Sequence, residues 1–277
     1  MSVKTIHYIS IILAILCCLP LFSQKRIETE YKLSIPASKL DTVWKYLKDK
    51  YSDNKLFLKS SDSGFYVLIS DEYFKDIYFD NNQLQLLSGK NGIRYRTRKV
   101  LSDSNNRKNN RELIQIKISS ANGDDLTREE YKYHVAHYNT QESAEDGHSF
   151  LGLIKRKDRS EVIEKLKLLN IDAYSLKPTV LVNQNRKRIC INKGEATIYG
   201  ISLDEVTAEY NDQHSNFIEV EIEVNEIEFT NADLAGRRQM EKIIGEIKSQ
   251  ILQDFPEIKL DQLPKYNKSY DRLMLKK

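Results

Sequence analysis

The chain has 277 residues, 40% of them hydrophobic and 30% charged, with only 10 Gly and 5 Pro. That hydrophobic share excludes a wholly disordered chain, so little Gly and Pro excludes collagen-like or linker-like character, and the length suits one large domain or two small ones. Lys and Arg number 43 against 40 Asp and Glu, so net charge makes no case for a nucleic-acid partner, and 3 Cys exclude a disulfide framework.

Residues 1–23 read as a secretory signal. Lys4 gives a positive start, residues 8–19 an apolar stretch and Pro20 a break, with cleavage expected after Ser23. The stretch is shorter than the roughly 20 apolar residues of a membrane span. An uncleaved anchor and a lipoprotein attached through Cys17 or Cys18 are the alternatives, the second weakened by bulky Leu16 before Cys17. Residues 24–277 form the mature domain, with Cys190 as its one thiol.

From Lys25 onward the dominant hydrophobic period is two. In chain order the pattern predicts a strand over 27–35, then a helix over 38–51 capped by Ser38 with Leu40, Val43, Trp44 and Leu47 on its core stripe. Strands follow over 73–79, 92–99, 112–119 and 127–135, with a polar loop at 103–110 and a turn at Asn122-Gly123-Asp124. After a polar segment at 138–148, a helix over 158–169 carries Val162, Ile163, Leu166 and Leu169. Strands over 178–183, 185–192, 196–209 and 217–226 come next, the second and third joined through Asn192-Lys193-Gly194. A final helix over 231–252 presents Leu234, Met240, Ile243, Ile244, Ile247 and Ile251. No internal repeat or linker divides the chain, which reads as one α+β domain, mainly antiparallel β.

Sorting strand residues by parity separates charge from grease, because successive side chains point to opposite faces. Glu28, Glu30 and Lys32 oppose Thr29, Tyr31 and Leu33; Arg94, Arg96 and Arg98 oppose Ile93, Tyr95 and Thr97. Lys117 opposes Ile114, Ile116 and Ile118, and Arg128, Glu130 and Lys132 oppose Tyr131 and Tyr133. Arg186 and Arg188 oppose Ile189 and Ile191, and Glu219, Glu221 and Glu223 oppose Ile218, Val220, Ile222 and Val224. A solvent face explains any one of these strands. Three arginines in a row repel one another unless anions or carboxylates lie between them, and the glutamate strands supply that balance if the sheet closes. The charged faces then line a wet interior. Arg and Lys in such a lining bind chains of phosphate, and the carboxylates imply a hard divalent cation between them and the anion.

These residues resemble the CYTH domain, or triphosphate tunnel metalloenzymes. Glu28-Thr29-Glu30-Tyr31-Lys32 is similar to that family's N-terminal ExExK motif, and Tyr78-Phe79-Asp80 followed by Gly92-Ile93-Arg94-Tyr95-Arg96 to its second signature. Ile116-Lys117, Arg128-Glu129-Glu130, Arg186-Lys187-Arg188, Leu203-Asp204 and Phe217-Ile218-Glu219-Val220-Glu221 follow in the family's order. The resemblance implies an eight-stranded antiparallel tunnel, with helices outside, that binds triphosphate compounds with Mg²⁺ or Mn²⁺. By position it implies Glu28, Glu30, Glu219, Glu221 and Glu223 as metal ligands, and Lys32, Arg94, Arg96, Lys117, Arg128, Arg186 and Arg188 as phosphate holders, Lys32 also sharing in catalysis. Glu130 and Asp204 fall on the wall as catalytic groups orienting bases or an attacking water. Pro264-Lys265-Tyr266-Asn267-Lys268 is similar to the family's C-terminal lysine segment, leaving open whether Lys265 or Lys268 reaches the tunnel.

Export favours hydrolysis, since it needs no high-energy donor. The expected activity is a Mg²⁺- or Mn²⁺-dependent triphosphatase acting on triphosphate or polyphosphate in the periplasm or outside the cell, with no nucleic-acid partner and membrane contact only during export. A non-catalytic polyphosphate binder and a membrane-anchored polyphosphate polymerase are the alternatives. The five His are scattered, and His134 and His137 are spaced to face opposite sides of a strand. Cys190 shares the parity of Arg186 and Arg188 but has no activating partner in the sequence.

Overall fold

The computed structural model describes residues 25–52, 64–101, 111–119, 126–136 and 149–275. The signal segment, the 103–110 and 138–148 loops, the Asn122–Asp124 turn, and His7, His137 and His148 lie outside the described residues. The strands are β1 (Arg26–Ile35), β2 (Phe65–Asp80), β3 (Gly92–Val100), β4 (Arg111–Ser119), β5 (Thr127–His134), β6 (Lys177–Lys193), β7 (Ala196–Tyr210), β8 (Gln213–Val224) and the two-residue β9 (Lys259–Leu260). The helices are α1 (Leu40–Tyr51), α2 (Gln85–Ser88), α3 (Arg159–Leu168), α4 (Glu226–Asn231), α5 (Leu234–Asp254) and α6 (Lys265–Met274).

All pairings in the sheet are antiparallel, in the order β5-β4-β3-β2-β6-β7-β8-β1-β9. The first half of β1 also pairs with β5, Glu28 opposite Arg128, and this closes β1–β8 into a ring. Closure removes the exposed edges of the sheet. The eight-stranded tunnel with helices outside is therefore present. β3 and β8 lie four strands apart whichever way the ring is followed, so the arginine strand faces the glutamate strand across the lumen.

Two apolar layers flank the ring. One packs α3, through Val162 and Leu166, against the outward Ile93, Tyr95, Ile114 and Ile116. The other packs α1, through Val43 and Leu47, and α5, through Ile244, Ile247 and Ile251, against β1, β6, β7 and β8. Asn225 caps α4, accepting from the backbone N–H of Ile227 and Glu228 at 2.9 and 3.2 Å.

Several boundaries differ from expectation. β2 begins at Phe65 rather than at 73, and the two strands expected over 178–192 are one continuous β6. β8 starts at Gln213 and ends at Val224, and the last long helix runs Leu234–Asp254 behind the separate α4. Lys193 belongs to β6; the turn follows at Gly194, whose φ of +59° suits a residue without Cβ. Asn211 and Asp212, with φ of 46° and 61°, make the two-residue β7–β8 turn. Ser38 lies in a short 3₁₀ turn, Ala37–Lys39, and caps nothing; Leu234 is 67% exposed rather than core, and Trp44 only packs on the core's margin. α6 has no counterpart in the sequence pattern.

Candidate functional site

A cavity of about 840 Å³ occupies the lumen. Period-two geometry delivers its lining: Lys32, Arg94, Arg96, Arg128, Glu130, Arg186 and Glu221 are all inward and buried, while Glu28, Lys117, Arg188 and Glu223 also reach the wall. Glu30, Asp204 and Glu219 are buried in the same network. Lys265 also lines the lumen, whereas Lys268 does not and joins the network from behind through Glu219.

The three arginines of β3 are balanced differently from expectation. Their nearest carboxylates come from β2, next to β3, not from the glutamate strands, which instead hold Arg186 and Arg188. Asp76, fully buried, accepts from Arg96 Nε and Nη2 at 2.6 Å each and from Arg94 Nη1 at 3.1 Å. Glu72 takes Arg98 through two bonds of 3.1 and 2.6 Å. Phe74, inward between these two acids, lies under three guanidinium groups, Arg96 at 4.3 Å, Arg186 at 5.3 Å and Arg98 at 6.0 Å from its ring centroid. Arg94 Nε donates to Gln115 at 2.7 Å, and Gln115 donates on to Glu130 at 2.9 Å. Sequence reasoning missed Glu72, Phe74, Asp76 and Gln115. The parity already applied to the other strands would have found the last three, since Phe74 and Asp76 alternate with Ile77 and Gln115 shares a face with Lys117.

Tyr78 lies inward too, its hydroxyl accepting from Arg94 at 3.1 Å and its ring stacked on Tyr266 of α6 at 4.9 Å. Asp80 turns away from the lumen. It accepts from the backbone N–H of Asn81, Leu86 and Leu87 at 2.8–3.0 Å and from the Tyr266 hydroxyl at 3.1 Å, fixing the turn into α2 and the seat of α6.

The acidic groups form two clusters sharing Glu221. Glu30, Glu221 and Glu223 bring carboxylate oxygens within 4.8 Å of one another, and so do Asp204, Glu219 and Glu221. Glu28 is bonded by Lys117, Glu30 by Lys32, Glu221 by Arg186 and Glu223 by Arg188. Asp204 takes Arg186 through two bonds of 2.7 Å. Burial opposes ionisation of Glu28, but Lys117, Lys32 and Arg128 outweigh it and hold the pKa at about 2. Burial wins at Glu223 and raises its pKa against Arg188 and Arg186, with a smaller push from Glu221 and Glu30. Burial also opposes charge on Lys265, yet Asp204, Glu219 and Glu221 raise its pKa above the ordinary lysine value.

The carboxylates fit a hard divalent ion. Glu28 Oε2 is buried with no hydrogen-bond partner, and the oxygens of Glu30, Glu221 and Glu223, within 4.8 Å of one another, are a crowding that a cation would relieve. Glu219 joins Asp204 rather than Glu28 and Glu30, so the five expected ligands do not make one centre. Cys190 reaches the lumen wall, but burial raises its thiol pKa, the opposite of an activated nucleophile. His134 and His214 are exposed on the described surface.

The CYTH domain model matches residues 39–251, most of the chain. This chain belongs to the CYTH family. Solved structures similar to it include the PH1819 protein from Pyrococcus horikoshii OT3, with 16% identity over 90% of this chain and 98% of that one and a TM-score of 0.47. HpAC1 from Hippeastrum, described with a dominant triphosphatase activity, has 16% identity over 82% of this CYTH chain and 87% of its own, with a TM-score of 0.44. The S. pombe Pct1 RNA triphosphatase has 12% identity over 92% and 91%, with a TM-score of 0.34. No curated protein matches the chain.

Proposed function

We propose that this CYTH protein hydrolyses the phosphoanhydride bonds of a triphosphate or inorganic polyphosphate with Mg²⁺ or Mn²⁺, outside the cytoplasm. The observation that carries the reading is the opposition of Arg94, Arg96 and Arg98 on β3 to Glu219, Glu221 and Glu223 on β8 across one lumen. Arg94, Arg96, Lys117, Arg128, Arg186 and Arg188 take the phosphate oxygens, and their fixed charge stabilises what develops on the departing phosphate. Glu28, Glu30, Glu221 and Glu223 hold the divalent ion, which when bound neutralises phosphate charge and polarises the bond to be broken. Lys32, paired to Glu30, sits between the two sets. Glu130, which accepts from Gln115 and from Lys132 at 2.8 Å, and Asp204 keep their basic neighbours aimed inward. The leader-like residues 1–23 support action outside the cytoplasm.

The test incubates metal-free protein with tripolyphosphate, ATP, long-chain polyphosphate and pyrophosphate, with and without Mg²⁺ or Mn²⁺. Phosphate release should need the metal, and Glu28→Gln should lose most of it with the fold intact. Tight polyanion binding without release in any arm would replace the hydrolase with a binding protein.

A further inference from the structure

The wall of the lumen contains a carboxylate cage that already holds a cation belonging to the chain. Asp204 and Glu219 are fully buried, and with Glu221 they present oxygens within 4.8 Å of one another, close enough to share one ion. Lys265 Nζ stands among them. It is 2.8 Å from Asp204 Oδ2, 2.9 Å from Glu219 Oε1, 3.3 Å from Glu221 Oε1 and 2.7 Å from Gln184 Oε1. Four oxygens surround an ammonium that has only three protons to give, so the group is enclosed as an ion is, not bonded as one partner of a pair. Lys265 is 6% exposed.

The seat is prepared from outside the cage as well. Lys268 occupies the other oxygen of Glu219 at 2.8 Å and reaches Asp261 at 2.8 Å. Tyr266 and Asn267 pin the start of α6 to β2 and to the Leu87 carbonyl, the latter at 2.7 Å. A tethered ligand competes at a high effective concentration. In the other cluster Glu30 and Glu223 have no such visitor from α6, Lys265 reaching it only through the shared Glu221. Glu28, two residues before Glu30 on the same strand face, has an Oε2 without a hydrogen-bond partner.

We propose that Lys265 is the built-in cation of the Asp204–Glu219–Glu221 cage, so that this tunnel takes one exchangeable divalent ion, at the Glu30–Glu221–Glu223 cluster beside Glu28, where two acidic clusters would otherwise take two. The exchangeable ion rests on the proposed function; the filled cage does not.

The test counts ions. Full-length metal-free protein is titrated with Mn²⁺ alone, free Mn²⁺ being read from its paramagnetic resonance signal. Wild type should bind one ion and Lys265→Met, which keeps the stem and loses the charge, should bind two. Adding Asp204→Asn to Lys265→Met should return the count to one. Two ions on wild type, or one on a Lys265→Met protein with wild-type circular dichroism, would overturn the assignment. Should Lys265→Met not fold, Asp204→Asn alone decides: an unchanged single ion of unchanged affinity supports it, and a tenfold loss of affinity refutes it. If wild type binds no ion and releases no phosphate while Lys265→Met binds one, the cage assignment stands and the hydrolase reading falls.

Discussion

Asp76 is the most exacting test of how the basic wall is held together. Replacing it by Asn removes the one charge bonded to both Arg94 and Arg96 and keeps the side chain's size. Asp76 is 0% exposed, and removing one partner of a buried ion pair costs about 3–5 kcal/mol because the other charge is left uncompensated. Two guanidinium groups are stranded here, but both line a wet cavity and Arg96 keeps its place over Phe74, which holds the loss within that range. At roughly 2–4 °C per kcal/mol for a chain of this size, the midpoint of thermal unfolding should fall by on the order of 10 °C. The pH dependence has a definite sign. Burial raises the Asp76 pKa, but Arg94 and Arg96 more than reverse this and lower it. A lowered carboxyl contributes stability that is fully present above its unfolded value of about 3.9 and is lost as pH falls through the folded value. The gap between wild type and Asp76→Asn should therefore be constant from pH 7 to about 5 and close on further acidification. Urea unfolding across that pH series measures it. A variant within about 1 kcal/mol of wild type at pH 7, or a gap that widens in acid, refutes the reasoning.

Asn225→Ala leaves two backbone N–H groups of α4 without an acceptor and should cost about 1 kcal/mol in urea unfolding. Leu166→Ala opens a cavity between α3 and the outer face of β3–β5 and should cost about 2–5 kcal/mol by the same measurement. A Cβ on Gly200 would stand 2.8 Å from Arg188 Nη2 and 2.9 Å from Glu223 Oε1; both are flexible ends, so Gly200→Ala should cost only about 1 kcal/mol, at the low end of overpacking. Glu28→Gln should keep the wild-type circular dichroism but melt lower, because Lys117, Lys32 and Arg128, which hold the Glu28 pKa at about 2, lose their charge partner. Unlike Asp76→Asn, it should also abolish metal-dependent phosphate release at temperatures where it stays folded.

The ring and most of its lining were legible because most lumen positions are charged and most outward neighbours apolar. Reading failed where one face changes character along its length. On β6, Val180 and Val182 pack into a core, and the same face from Gln184 onward lines the network that holds Lys265 and Arg186. A polar residue at that switch looks like a break between strands. The start of β2 fails differently: Phe65 to Ile69 is an unbroken apolar run with Tyr66, Leu68 and Ile69 exposed, so no alternation marks it. α6 was hidden because Lys265, Asn267, Lys268 and Ser269 are buried, the reverse of what a hydrophobic stripe would select. Asp76 was within reach of parity, but the expectation that distant glutamates balance the arginines removed the reason to look beside them; Glu72 fell just before the strand expected to start at 73.

The two kinds of ion pair in the lumen have different consequences for binding. Asp76 engages Arg96 through Nε and Nη2, leaving other N–H groups of that fork to meet an anion, since a guanidinium carries five. Such a pair aims an arginine without consuming it. Lys117 on Glu28 and Arg188 on Glu223 are of the other kind, because the carboxylate they hold is one that a divalent ion would need. On the proposed function, a cation that takes Glu28 and Glu223 releases Lys117 and Arg188 toward phosphate, and a phosphate that takes the two bases releases the carboxylates toward the cation. Binding of either then strengthens the other by the same factor. This reciprocity follows from the pairing itself, and it gives the carboxylates a role in a tunnel that a simple anion binder would have no use for.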